Sequence, residues 1–229
     1  MKSYLDNPKL KEDFVAEVKK HQEADQIIQG TYGKGSGKSW KGCAVGCSIR
    51  SLNNLKGKKY STGDHKVYET ELGIPEWLAR LEDTIFEGLP VEDAKQWPLR
   101  FSQAVPVGVD LEPVKWQFGA FVLNTNIERV LTLDIPEQLK KQVVDAIRGV
   151  LNVHESALRT GEWDESAARS AESAAESARS AAWSARSAAE SARSARSAWS
   201  AAWSAESAAW SAEYKVFADK LIELLEKAQ

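Results

Sequence analysis

From Ser166 to Glu213 the chain is built almost wholly from Ser, Ala, Arg, Glu and Trp, without a glycine or a proline. Ser-Ala pairs recur in alternating steps of four and three residues, slipping once to consecutive threes around Ser194. A half-buried strand needs a period of two, whereas a four-three alternation follows the turns of an α-helix. The repeat therefore commits this part of the chain to helix. Ala is the best helix former, but Ser is mediocre because its hydroxyl competes for nearby backbone groups. Such a helix is only moderately stable alone and needs a surface to pack against.

The small residues define that surface. Ser170, Ala174, Ser177, Ala181, Ser184, Ala188 and Ser191 form a seam along which two helix backbones can approach closely. The large residues share another row, charged at first (Glu176, Arg179, Arg186, Glu190) and aromatic later (Trp199, Trp203, Trp210). Opposite charges three or four apart add only ~0.2–0.5 kcal/mol per pair. Arg and Glu at this density exclude a membrane span. Read as one helix to Lys227, the stretch would reach about 90 Å at 1.5 Å per residue. It must fold back as a hairpin or pair with a copy of itself. The seam, with Trp199, Trp203 and Trp210, predicts a homo-oligomer interface; a solvated spacer helix is the plainer alternative.

The rest of the chain reads as an ordinary helical domain. The expectation is an all-α protein: a compact helical domain over 1–160, then a Ser/Ala-rich assembly element over 161–229. A formal net charge of -3 gives no bulk attraction to nucleic acid. No long apolar stretch opens the chain, so neither a signal peptide nor a membrane anchor is expected. Two cysteines, Cys43 and Cys47, suit a reduced, cytoplasmic protein better than a disulfide scaffold.

Gly30 to Gly63 is rich in Gly, Lys and Ser. Within it Gly33-Lys34-Gly35-Ser36-Gly37-Lys38-Ser39 resembles a phosphate-binding P-loop, but Tyr32 stands where the first glycine belongs and no strand precedes it. A flexible Gly/Lys loop is the simpler reading. The basic residues here include Lys34, Lys38, Lys41, Arg50, Lys58 and Lys59, while the following segment carries Glu69, Glu71, Glu76, Glu82, Asp83 and Glu87. Either the basic loop lies against the acidic helix, or those six cations form an anion site helped by glycine amides.

Lys41-Gly42-Cys43-Ala44-Val45-Gly46-Cys47 is the densest local motif. Its small residues suit a tight helix contact around two buried thiols. A catalytic reading would take Cys43 or Cys47 as nucleophile, His65 as base and Glu69 as its orienting carboxylate. A zinc site from Cys43, Cys47, His65 and one carboxylate is short of dedicated ligands. No cofactor and no metal are expected.

Further along, Pro75 opens a helix with Trp77, Leu78, Leu81, Ile85 and Leu89 on one face, and Pro98 divides Val91–Val105 into two short helices. Asn7 and Asp110 can cap helices, and Asp134 with Glu137 suggests a capping box. Val114 to Val130 suggests a central, largely buried helix. His154 lies on the apolar face of the helix that follows, where a packed core histidine is the expected role.

The string KGCAVGC, followed by ELGIPEWLARLEDTIFEGLP and an Ala-rich tail, resembles a family of uncharacterised proteins found in bacteriophages and bacteria. The tail alone is also similar to tails of bacterial immunity proteins. Members of the family carry a histidine soon after the second cysteine, where this chain has Ser48-Ile49-Arg50. The resemblance implies a phage or bacterial accessory protein acting in the cell, and it transfers no activity. The leading expectation is a non-enzymatic homo-oligomer that antagonises host defence, by binding a defence protein or sequestering a small anionic nucleotide. A Cys/His-dependent enzyme and a scaffold assembled through the Ser/Ala helix are the alternatives.

Overall fold

The computed structural model describes the backbone of residues 1–170, Ser173 and 196–229, and the side chains of all of these except 196–210. The protein is all-α. Among the described residues the only β pairing is three isolated bridges: Lys2 with Asp110, Ile27 with Gly42, and Lys34 with Lys41. The helices are α1 (Pro8–Glu23), α2 (Ala44–Lys56), α3 (Lys66–Leu72), α4 (Glu76–Gly88), α5 (Val91–Ala104), α6 (Glu112–Thr132), α7 (Glu137–Thr160) and α8 (Arg196–Lys227). No helix among the described residues is long and apolar enough to cross a membrane.

Local signals set most of the ends. Asn7 Oδ1 accepts the Lys9 and Leu10 N–H groups, and Pro8 fills the first helical position of α1, where no N–H is needed. Gly57, at φ 62°, closes α2 in the left-handed conformation. Asp164 Oδ1 accepts from Ser166 and Ala167 N–H, so the repeat does open as a capped helix over 165–170.

Three local expectations fail. Pro98 does not divide α5; Val91–Ala104 is one helix with the proline inside it. Pro98 removes one backbone bond, but Trp97 and Phe101 are fully packed on either side and hold the helix through the gap. The capping box at α7 does not form: Pro136 occupies the cap and makes no side-chain bond. α6 is also less buried than its apolar sequence suggests, with only Val114, Phe118 and Ile127 below the surface.

The chain packs as two compact units, one of Met1–Glu112 with Ala205–Gln229, the other of Pro113–Ser204. Neither boundary coincides with the division at residue 160 suggested by composition. The physical cause is the apolar end of α8, where Ala218, Leu221 and Leu225 are buried. Tyr214 lies so close to Gly88 that a Cβ there would enter its ring. Lys215–Asp93 at 3.1 Å and Arg100–Asp219 at 2.8 Å flank this contact. In the rest of the first unit α1 packs on α5 and α2, and α4 packs on α2, α3 and α5. In the second unit Ile127, Val144 and Leu151 form the apolar centre.

Candidate functional site

The Gly/Lys segment wraps around two aromatic rings. Lys34 and Lys41 exchange backbone bonds of 2.8 and 2.9 Å, closing a loop whose end residue, Trp40, turns inward. Arg50 of α2 stacks over Trp40 at 4.5 Å, and His21 of α1 meets it at 5.7 Å. Gly33 and Gly42 lie against the indole, where a Cβ would come within 2.9 and 2.7 Å of it. Gly46 lets the Tyr32 carbonyl approach the first turn of α2 at a distance no side chain would permit. The glycines are therefore spent on packing. The P-loop likeness does not extend to the fold: Gly37–Ser39 is a single 3-10 turn, and α2 begins only at Ala44.

The loop does lie against the acidic helix, but through neutral donors. Gln29 Nε2 donates to the carbonyls of Phe86 at 2.8 Å and Leu89 at 2.9 Å. Gly30 N–H donates to Glu87, 2.9 Å from one oxygen and 3.1 Å from the other. Tyr32 Oη donates to Asp83 Oδ2 at 3.0 Å. Burial, then the Asp83 carboxyl, pushes the Tyr32 hydroxyl up to about 12.

These contacts frame a polar centre between α2, α3 and α4. Cys43 caps α2, its sulfur accepting the Gly46 N–H at 3.4 Å, and is 1% exposed. Burial raises its thiol well above the usual range; the Gly46 bond eases this, and the neighbouring Asp83 adds to it. Cys47 is fully buried, and its Sγ donates to Gly42 O at 3.5 Å. Burial pushes the Cys47 thiol up to about 12. His65, 6% exposed, meets Asp83 Oδ2 through Nε2 at 3.3 Å and sets its ring edge-on to Tyr32 at 5.7 Å.

Glu69 is not the partner of His65. Its Oε2 accepts the Glu76 N–H at 3.1 Å and so helps to cap α4. The orienting carboxyl is Asp83, one helical element further on. Asp83 and Glu87 are four apart on α4 and share a face. Donor atoms of Cys43, Asp83 and Glu87 lie within 4.8 Å of one another. The zinc set weighed from the sequence, Cys43, Cys47, His65 and one carboxylate, thus changes membership: Cys47 is turned to the backbone, His65 meets Asp83 instead, and a second carboxyl joins the first.

Behind them lies Glu82, fully buried. Its carboxyl faces Tyr68, yet neither of its oxygens nor Tyr68 Oη makes a hydrogen bond of ordinary geometry. Burial raises Glu82 to about 8, with Asp83 adding to the shift and Tyr68 opposing it. Sequence reading missed this group, although the signal was present. Glu82 falls four residues after Leu78 and three before Ile85, within the apolar stripe of α4.

Of the candidate cations, Lys34, Lys38 and Lys41 lie on the loop before α2, and Lys58 and Lys59 follow the helix, on a segment that returns to set Gly63 against the Tyr32 ring. Arg50 is engaged by Trp40, and Lys41 pairs with Asp25 at 3.1 Å. Lys34 and Lys38 are exposed and form no ion pair among the described residues. In the predicted oligomer seam, Ser170 is exposed and its hydroxyl bonds back to Ser166 O at 3.0 Å. Ala174, Ser177, Ala181, Ser184, Ala188 and Ser191 lie outside the described residues, as do the side chains of Trp199, Trp203 and Trp210.

Comparison with protein-family models, with curated proteins and with solved structures gives no match.

Proposed function

We propose that the chain is a non-enzymatic binding protein whose loop at 34–41 takes a small anionic ligand of the nucleotide class. One observation carries this reading. Lys34 and Lys38 stand exposed, without acidic partners among the described residues, on a loop that Trp40 and the Lys34–Lys41 bridge hold in place. Fixed cations lose less entropy on binding than cations on a free loop. The thiols support the same reading by their position. A nucleophile must reach its substrate as thiolate, and Cys43 and Cys47 are buried with raised pKa values. Antagonism of host defence, by sequestering a nucleotide signal or docking on a defence protein, is the role proposed for such a binder; the likeness of its strings to phage proteins motivates that role and transfers no activity. Self-association through the Ser/Ala seam belongs to the same proposal.

Native mass spectrometry on gently purified protein reads subunit count and retained ligand together. The expected result is an oligomer carrying nucleotide-sized mass, lost when Lys34 and Lys38 are both changed to Ala. Retention of the same mass by that double variant would remove the loop from the proposal. A monomer at micromolar concentration would remove the seam.

A further inference from the structure

The polar centre of the first unit brings a thiol and two carboxyls together from separate elements. Cys43 comes from the cap of α2, Asp83 and Glu87 from one face of α4, and their donor atoms lie within 4.8 Å. Each is held by another group. Gly46 N–H fixes the sulfur, Tyr32 and His65 fix Asp83 Oδ2, and Gly30 N–H fixes Glu87. Asp83 Oδ1 is different: it is buried and accepts no hydrogen bond of ordinary geometry, and the Cys43 thiol faces its carboxyl. Buried oxygens are nearly always satisfied, and each exception calls for an unseen partner. Three groups that can each carry negative charge converge there, beside the fully buried Glu82, whose carboxyl faces Tyr68.

We infer that Cys43 Sγ, Asp83 Oδ1 and a Glu87 oxygen form a three-donor site for a divalent transition ion of the zinc class, with water in the fourth position. The donor set decides the class. Thiolate is a poor ligand for magnesium or calcium, whereas one sulfur and two oxygens suit tetrahedral zinc. At Zn–S ~2.3 Å and Zn–O ~2.0–2.2 Å, tetrahedral donors stand ~3.3–3.7 Å apart. Glu87, the exposed member of the three, closes the remaining gap by giving one of its two oxygens on Gly30 N–H to the ion. Binding replaces the S–H bond of Cys43 by a metal–sulfur bond and releases that proton to solvent. Thiolate and two carboxylates then outweigh the ion by one negative charge, which the N-terminal end of α2 offsets in part. Tyr32 and His65 are positioning residues acting through Asp83, and loss of such outer contacts typically weakens metal binding ~10–100-fold. This site is independent of the anion proposed for the 34–41 loop.

The test uses the full chain stripped with a chelator and titrated with Co2+, then with Zn2+. One equivalent of Co2+ should give a sulfur-to-cobalt charge-transfer band together with tetrahedral ligand-field bands, and Zn2+ should abolish both. Cys43→Ser should remove the charge-transfer band while keeping the fold, because Ser is itself a good helix cap. Glu87→Gln changes an exposed residue that folding tolerates and should weaken binding at least tenfold, whereas Cys47→Ser should retain the band. Absence of the band in the wild-type chain, its loss in Cys47→Ser but not Cys43→Ser, or unchanged affinity in Glu87→Gln would each overturn the site.

Discussion

Each unit of the molecule draws a histidine into its packing, and the two surround it with opposite chemistry. In the first, His65 meets Asp83 and Tyr32, with Cys43, Glu82 and Glu87 close by. In the second, His154 is walled by indoles. Trp116 and Trp163 stack at 4.8 Å and 12°, and the imidazole stands edge-on to both, at 5.8 and 5.4 Å. Gly119 of α6 makes room for it, since a Cβ there would strike the ring. The aromatic cage disfavours the charge of a half-buried histidine. The polar centre instead gathers several ionisable groups. Each arrangement leaves buried polar atoms without a hydrogen bond of ordinary geometry, His154 Nδ1 in the cage and Glu82 and Asp83 Oδ1 in the polar centre. What separates them is that the polar centre adds acidic groups to its histidine and the cage adds none.

The largest expected effect that separates them is the pH dependence set by Glu82. Its folded pKa, raised to about 8 by burial, lies above the ordinary glutamate value. Between those two values the native state holds a proton that the unfolded chain has released. Stability is therefore full below the ordinary value and falls as pH climbs towards 8, by ~1.4 kcal/mol per pH unit. The accumulated loss is on the order of several kcal/mol. Glu82→Gln keeps the shape and removes the titration, so urea unfolding stepped through this window should show a flatter profile in the variant. Parallel profiles in the two proteins would mean that the carboxyl is already ionised or solvated in the native state.

Matched glycine substitutions sharpen the contrast. Gly46→Ala drives a methyl group into the Tyr32 backbone carbonyl, which the loop contacts to α4 prevent from retreating. The expected cost is ~1–3 kcal/mol, the usual range for overpacking. Gly119→Ala drives its methyl into an imidazole, a side chain that can turn, and gains up to ~1 kcal/mol of helix propensity. It should change stability by less than Gly46→Ala does. Equal losses in denaturant unfolding would show that the cage around His154 is as rigid as the backbone around Tyr32.

How far the sequence foretold each region follows the same line. Apolar spacing and caps are local, so the start of α1 was readable from Asn7 and α4 from Leu78 and Ile85. The buried thiols were readable from the small residues around them. What no local pattern carries is which distant carboxyl meets which group. Glu69 lies nearer His65 in sequence, yet Asp83 meets it, because α3 and α4 fold back at Gly73 and bring α4 alongside. Pro98 misled in the other direction: a strong local breaker lost to the burial of Trp97 and Phe101.

The smallest expected effect belongs to His154 itself. Burial pulls its pKa below the ordinary histidine value; a backbone contact at Trp116 opposes this, and the Lys115 ammonium adds to it. Lys115 also lies over the Trp116 ring at 4.5 Å, so cage and cation act from the same side. A lowered folded pKa means that the unfolded chain binds the proton first. Stability contributed here is present above the ordinary histidine value and lost as pH falls through the folded one. The ring is only half-buried, so solvent screening keeps the effect modest. An NMR titration of the His154 ring should place its midpoint below that of a free histidine. Trp163→Ala, which opens one wall, should move the midpoint upward, and Lys115→Gln should do so by less. A wild-type midpoint at the ordinary value would show that the indoles exclude too little water to act on charge, and would leave the cage as a contact of shape alone.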